Sequence, residues 1–156
     1  AFVEEVRQFW DGPIVLGGAI STGHAIRAAE ILGADLAYVG TALIACAESM
    51  ADAAYKDMVV GASAEDILPS KGITGVTANW LRKSLIAAGY DPANMPEDKK
   101  PNFENTQDNS KAWKNVWSAG QGVGAVTAIE PVAQIVARLK AEYDFACTLP
   151  RFDMKD

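Results

Sequence analysis

Two runs constrain the fold of this chain more than any other part of it: Pro13-Ile-Val-Leu-Gly-Gly-Ala-Ile-Ser-Thr-Gly-His24 and Ala34-Asp-Leu-Ala-Tyr-Val-Gly-Thr41. Each is a short apolar strand that ends in small residues and runs directly into a helix. Neither strand alternates with polar residues, the pattern of a parallel strand covered on both faces. A strand-to-helix junction leaves backbone N–H groups free and turns the positive end of a helix dipole toward one spot, which suits a phosphate. Two such units in succession predict the last two strands of a β/α barrel, where phosphate sites often follow strands 7 and 8.

The rest of the chain is read around that pair. Phe2, Val6, Phe9 and Trp10 recur at helical spacing, so residues 2–10 form the end of a helix. Ser21 or Thr22 can cap the helix after the first strand, and Gly33 can end it. Residues 42–60 favour one long helix, Ser63-Ala-Glu-Asp66 resembles a capping box, and Thr77–Ala88 reads as another helix stopped by Gly89. Residues 90–112 are a polar loop, and 113–125 are rich in Trp and Gly. Pro131 opens a last helix at its first position, with Val132, Ile135, Val136, Leu139 and Tyr143 as the buried stripe. The fold class is α/β: the C-terminal part of a TIM-type (β/α)8 barrel with a mostly helical C-terminal extension. Residues 1–60 supply the last βα units, 61–125 a helical and loop insertion, and 126–156 the final barrel helix and tail.

Composition narrows the function classes. With 49% hydrophobic residues the chain can bury a core, yet no window approaches the roughly 20 apolar residues of a membrane span. A net charge of −6 with scattered Lys and Arg argues against a nucleic-acid partner, which needs a basic face. Cys46 and Cys147 lack metal or redox spacing, and the absence of a signal peptide fits a reducing, cytoplasmic setting, with a disulfide as a minor alternative. A barrel takes about 250 residues, and the chain opens on Ala1 inside a helix. It is therefore expected to be the C-terminal part of a longer polypeptide, completed by a missing N-terminal part or by another chain. A homo-oligomer is the other way to cover the open sheet edges.

Gly17, Gly18 and Ala19 at the first turn, and Gly40 and Thr41 at the second, are the candidate phosphate contacts. Their small side chains let a phosphate approach the backbone, and Thr41 can cap the next helix or donate its hydroxyl. His24, the only histidine, sits in the first turn of a helix, where an imidazolium is disfavoured, and is assigned no catalytic role. Gly120-Gln-Gly-Val-Gly124 lacks the spacing, preceding strand and acidic partner of a dinucleotide fingerprint. Trp80, Trp113 and Trp117 read as packing residues, and Glu48 and Lys56 as a solvated helix face. No metal site is expected.

Taken together these segments resemble the C-terminal half of the nitronate monooxygenases, also called 2-nitropropane dioxygenases. The resemblance rests on Pro13–Gly23, Gly33-Ala-Asp35, Val39-Gly-Thr41, Glu48 onward, Thr74–Pro92, Trp117–Gly124 and the last helix. It implies an FMN-dependent β/α barrel in which backbone N–H groups around Gly18, Ala19, Gly40 and Thr41 hold the flavin phosphate. One departure stands out: the family's Ala-Gly-Gly-Ile is Gly17-Gly-Ala-Ile20 here, so Ala19 replaces a glycine. A main-chain contact survives the added methyl where the dihedrals are ordinary. The family's catalytic histidine lies in a glycine–histidine loop on an earlier strand, and no such motif occurs in this chain.

The resemblance implies an oxidoreductase that oxidises a small alkyl nitronate with O2, the chain alone being inactive. Two alternatives stay open from sequence: an NAD(P)H-dependent flavin reductase of an enoyl thioester or quinone, and a non-catalytic phosphate-binding module.

Overall fold

The computed structural model describes residues 2–97 and 116–149. In chain order the elements are α1 (Phe2–Arg7), β1 (Val15–Gly17), α2 (Gly23–Ile31), β2 (Leu36–Tyr38), α3 (Thr41–Ile44), α4 (Ala53–Val60), β3 (Ile67–Ser70), β4 (Ala78–Leu81), α5 (Arg82–Ala87) and α6 (Val132–Thr148). Single 3₁₀ turns form at Ala64–Asp66 and Gln121–Ala125.

β1, α2 and β2 make the expected strand–helix–strand unit. The strands pair in parallel, Val15 with Leu36 and Gly17 with Tyr38. Thr22 caps α2 by accepting from the Ala25 N–H, and Gly33 ends it at φ 99°, a left-handed conformation that glycine adopts without a Cβ penalty. Ile14, Leu16, Ala37 and Val39 turn toward Val3, Ile20, Ala29 and Ala34. The opposite face is bare: Val15, Leu36 and Tyr38 are 54%, 62% and 69% exposed. Among the described residues the continuous apolar runs therefore find cover on only one side.

Asp35 ties α1 to this unit. Its carboxylate accepts from the Ile14 N–H at 2.8 Å and from Arg7 at 2.5 Å. Those two hydrogen bonds, the Ile14 N–H first, hold its carboxyl below the usual carboxylate range. A depressed folded-state pKa stabilises the fold above the unfolded pKa of about 4, and the contribution is lost as pH falls through the folded value. Asp35→Asn is expected to flatten this part of the acid limb of a stability–pH curve below about pH 4. An unaltered acid limb in urea titrations would contradict the assignment.

Three readings from sequence need correction. The single helix over 42–60 is two helices, because Cys46 leaves the helix to bridge Glu130 and the Ala47 N–H donates to the Glu130 carbonyl. The first half of Thr77–Ala88 is strand β4, antiparallel to β3 with Leu68 opposite Trp80. Trp80 decides this: it is fully buried and its indole N–H donates to the Ser70 carbonyl at 3.0 Å, a tertiary gain that outweighs local helix propensity. Pro131 stands one position earlier than expected, as the cap of α6, and Val136 lies exposed while Ile135 and Leu139 are buried.

Other expectations hold. Asp66 accepts from the Ser63 N–H at 2.8 Å in the box-like turn, and Gly89 at φ 84° follows α5. The main core joins Ala42, Ala45, Cys46, Val59, Ile67 and Leu81 to Ala119, Val123, Val126, Ile135 and Leu139. The segment after residue 116 is thus part of the same core as α3 and α4. Trp113 and most of the polar loop lie outside the described residues.

Candidate functional site

The two turns lie at the C-terminal ends of paired strands. Gly17 faces Tyr38 across the ladder, so Gly18–Ala19 and Gly40–Thr41 open on the same end of the sheet. No turn, loop or side-chain hydrogen bond among the described residues uses the N–H groups of Gly18, Ala19, Gly40 or Thr41. A Cβ built on Gly18 or Gly40 meets nothing within 4 Å. Gly18, Ala19 and Gly40 are exposed and Thr41 is half-buried, so the two turns are reachable from outside.

Ala19 does not have the ordinary dihedrals on which a harmless methyl depends. Its φ is 54°, the only positive value at a non-glycine among the described residues, and Gly18 before it stands at 110°. A left-handed alanine costs roughly 1–2 kcal/mol. Ala19→Gly relieves that strain and adds some unfolded-chain entropy, for an expected net gain of about 1 kcal/mol. Thermal unfolding should shift upward by a few degrees; a lower midpoint would show that the turn is not strained.

The dipole part of the expectation changes. The Gly23 N–H, at the start of α2, donates to Glu142 Oε2 at 2.7 Å, so a carboxylate of α6 already meets that helix end. α3 is a single turn of four residues and carries little macrodipole. What the site offers is turn N–H groups rather than helix ends. Thr41 is not a cap either: Gly40 holds the cap position of α3 without a side-chain bond. Instead Thr41 Oγ1 accepts the Gly120 N–H at 2.9 Å, which leaves its own proton to donate.

That bond shows what sequence reasoning missed. The segment 118–124 packs over both turns. A Cβ on Gly122 would lie 2.7 Å from the Ala19 carbonyl oxygen and 2.7 Å from Ser21 Oγ, and one on Gly120 would lie 3.1 Å from Thr41 Oγ1. The glycines rejected as a dinucleotide fingerprint are needed for close approach to the candidate turns. The alternation of Gly120 and Gly122 was the only sequence signal, and it points to contact without saying with what.

The remaining candidates fall into place. His24 is exposed and meets the Phe145 ring edge-on at 5.9 Å. Glu48 caps α6, its carboxylate accepting the Val132 N–H at 2.9 Å. Lys56 is buried and donates to the Ala47 carbonyl, so these two are structural ties rather than an idle solvated face. Trp80 is a core residue and Trp117 stacks on Tyr55 with centroids 5.1 Å apart. Cys46 and Cys147 are both free thiols. Among the described residues no His, Cys, Asp and Glu group could hold a metal, and no helix is long and apolar enough to cross a membrane.

A parallel strand–helix–strand unit with small-residue turns at its C-terminal end defines an α/β protein of the kind that binds ligands at that edge. The sequence profile of nitronate monooxygenase matches residues 1–142. The chain belongs to the nitronate monooxygenase family, a family of oxidoreductases. It is 31% identical over 137 residues to the nitronate monooxygenase of Paraburkholderia phytofirmans, covering 83% of this chain and 37% of that protein. It is 30% identical over 142 residues to that of Pseudomonas aeruginosa, covering 83% and 39%. The chain thus spans about two-fifths of the length of these curated relatives. Its fold is similar to a nitroalkane oxidase from Streptomyces ansochromogenes (TM-score 0.71, 28% identity, 94% of this chain and 43% of that one). FabK from Thermotoga maritima shares the fold at TM-score 0.68 and 24% identity, over 93% and 48% of the two chains.

Proposed function

We propose that the complete protein containing this chain is an FMN-dependent oxidoreductase that oxidises alkyl nitronates with O2, and that this chain contributes the flavin phosphate site. The observation that carries the reading is the convergence of two turns of small, largely exposed residues at the C-terminal ends of paired strands in a chain of the nitronate monooxygenase family. Gly18, Ala19, Gly40 and Thr41 offer main-chain donors, Thr41 adds a hydroxyl, and Gly17 leaves room beside Tyr38. This donor set fits a phosphate monoester without needing a lysine or arginine.

When bound, the flavin supplies the electron transfer; this chain's residues bind and orient it. No residue of this chain is proposed as an acid, base or nucleophile. The bare face of Val15, Leu36 and Tyr38 is proposed to form part of a barrel interior, covered by the remaining strands of a (β/α)8 barrel. Burial of such apolar side chains is worth about 1.5–3 kcal/mol each, which favours a covered state.

The complete protein, purified, is expected to carry FMN and to consume oxygen when given an alkyl nitronate. Absence of bound flavin together with absence of oxygen uptake would overturn the reading. Rapid anaerobic bleaching by NADH or NADPH, with no nitronate oxidation, would replace it with a flavin reductase.

A further inference from the structure

Beyond the two turns, Gly40, Thr41 and Ile44 form one side of a shallow, open cleft of about 340 Å³ whose other wall comes from β4 and the Gly-rich segment: Ala78, Asn79, Ser118, Ala119 and Gly120. That far wall is rigidly built. Ser118 bridges Trp80 in antiparallel fashion, the Leu81 N–H donates to the Trp117 carbonyl at 3.0 Å, and the Trp117 N–H donates to Ser84 Oγ at 2.7 Å. Tyr55 donates its hydroxyl to the Ser118 carbonyl. Neither wall carries a charged residue. The polar side chains on the cleft are Thr41, Asn79 and Ser118, with Gln121 against Asn79: the Asn79 amide donates to Gln121 Oε1 at 3.5 Å, the long limit for such a bond. Both amides therefore keep hydrogen-bonding capacity for something else.

We propose that Asn79 is a further contact of the flavin phosphate, reaching it from β4 across this cleft while Gly40 and Thr41 hold it from the side of the paired strands. This rests on the phosphate reading of Gly40 and Thr41 given above. The site is then built by three stretches of chain, with Gln121 positioning the Asn79 amide and the Gly120–Thr41 bond fixing the width of the cleft. Its donors are all neutral, so a carboxylate placed among them would be strongly felt by a dianion.

The test uses the complete protein, stripped of flavin, and compares its affinity for FMN and for riboflavin, which lacks the phosphate. Wild type is expected to prefer FMN by about 100-fold or more, a charged phosphate with several donors being worth that much. Asn79→Asp is expected to weaken FMN by about 100-fold and leave riboflavin unchanged, while Asn79→Ala weakens FMN by about 5- to 10-fold. Gln121→Glu, an exposed substitution that any folding difficulty at Asn79 would not touch, should weaken FMN by about 10-fold. Retention of FMN affinity in Asn79→Asp and Gln121→Glu, with the wild-type preference intact, overturns the role of Asn79 alone. A wild type that binds riboflavin as well as FMN overturns the phosphate reading and this inference with it.

Discussion

Replacing Gly23 with alanine is expected to cost about 3 kcal/mol or more, the upper range for forcing a methyl into a packed contact. The Cβ would lie 2.2 Å from the Leu139 carbonyl oxygen, 2.2 Å from the Tyr143 nitrogen and 2.6 Å from Glu142 Cβ. Two of those three are backbone atoms of α6, so no side chain can rotate away. α2 and α6 must separate, and the Gly23 N–H bond to Glu142, a charge-assisted bond, stretches or breaks with them. Tyr143, which donates to Glu30 of α2 at 2.7 Å, sits on the same contact. Thermal unfolding should fall by roughly 6–12 °C at this chain length. Gly40→Ala is the control: its Cβ meets nothing within 4 Å, so its midpoint should stay within about 1–2 °C of wild type. Equal midpoints for Gly23→Ala and wild type would show that the two helices do not pack as described.

Gly122→Ala is the second large effect, and it reaches the proposed site. Its methyl would press on the Ala19 carbonyl and on Ser21 Oγ, both at 2.7 Å. Ser21 is buried, and Ala19 already occupies a strained conformation, so neither side yields easily. The 118–124 segment must lift from the first turn, or the turn must change shape. We expect a loss of about 2 kcal/mol in stability, and at least a tenfold loss of FMN affinity in the complete protein as the turn N–H groups lose alignment. A variant that unfolds earlier yet binds FMN as wild type does would separate the segment's structural role from the site.

Much of the strand–helix–strand unit was legible in the sequence because its signals are local. Continuous apolar runs gave the two strands, Thr22 and Gly33 marked the ends of α2, and Gly18 announced a turn. What stayed hidden depends on partners far along the chain. β4 could not be seen because Ala78–Leu81 carries no strand pattern of its own; it is a strand because Trp80 is buried beneath β3 and Ser70. The break after Ile44 follows from the pairing of Cys46 and Ala47 with Glu130, more than eighty residues away. Glu142 at the start of α2 and Gly120 on Thr41 are contacts of the same kind.

The strain at Ala19 lay between these cases. The sequence marked the position as one where a glycine is usual in the family, but the sign of φ decides whether the methyl matters. At 54° it does. The candidate site is therefore narrower than the sequence implied. Helix dipoles contribute little, since Glu142 already meets the start of α2 and α3 is one turn long, and the turn N–H groups are left as the main anion donors.

The most direct measurement is a structure of the complete protein with FMN bound. Phosphate oxygens are expected within about 2.7–3.2 Å of the N–H groups of Gly18, Ala19, Gly40 and Thr41. A flavin whose phosphate lies away from both turns, or whose phosphate is held by side chains of another part of the protein, would contradict it.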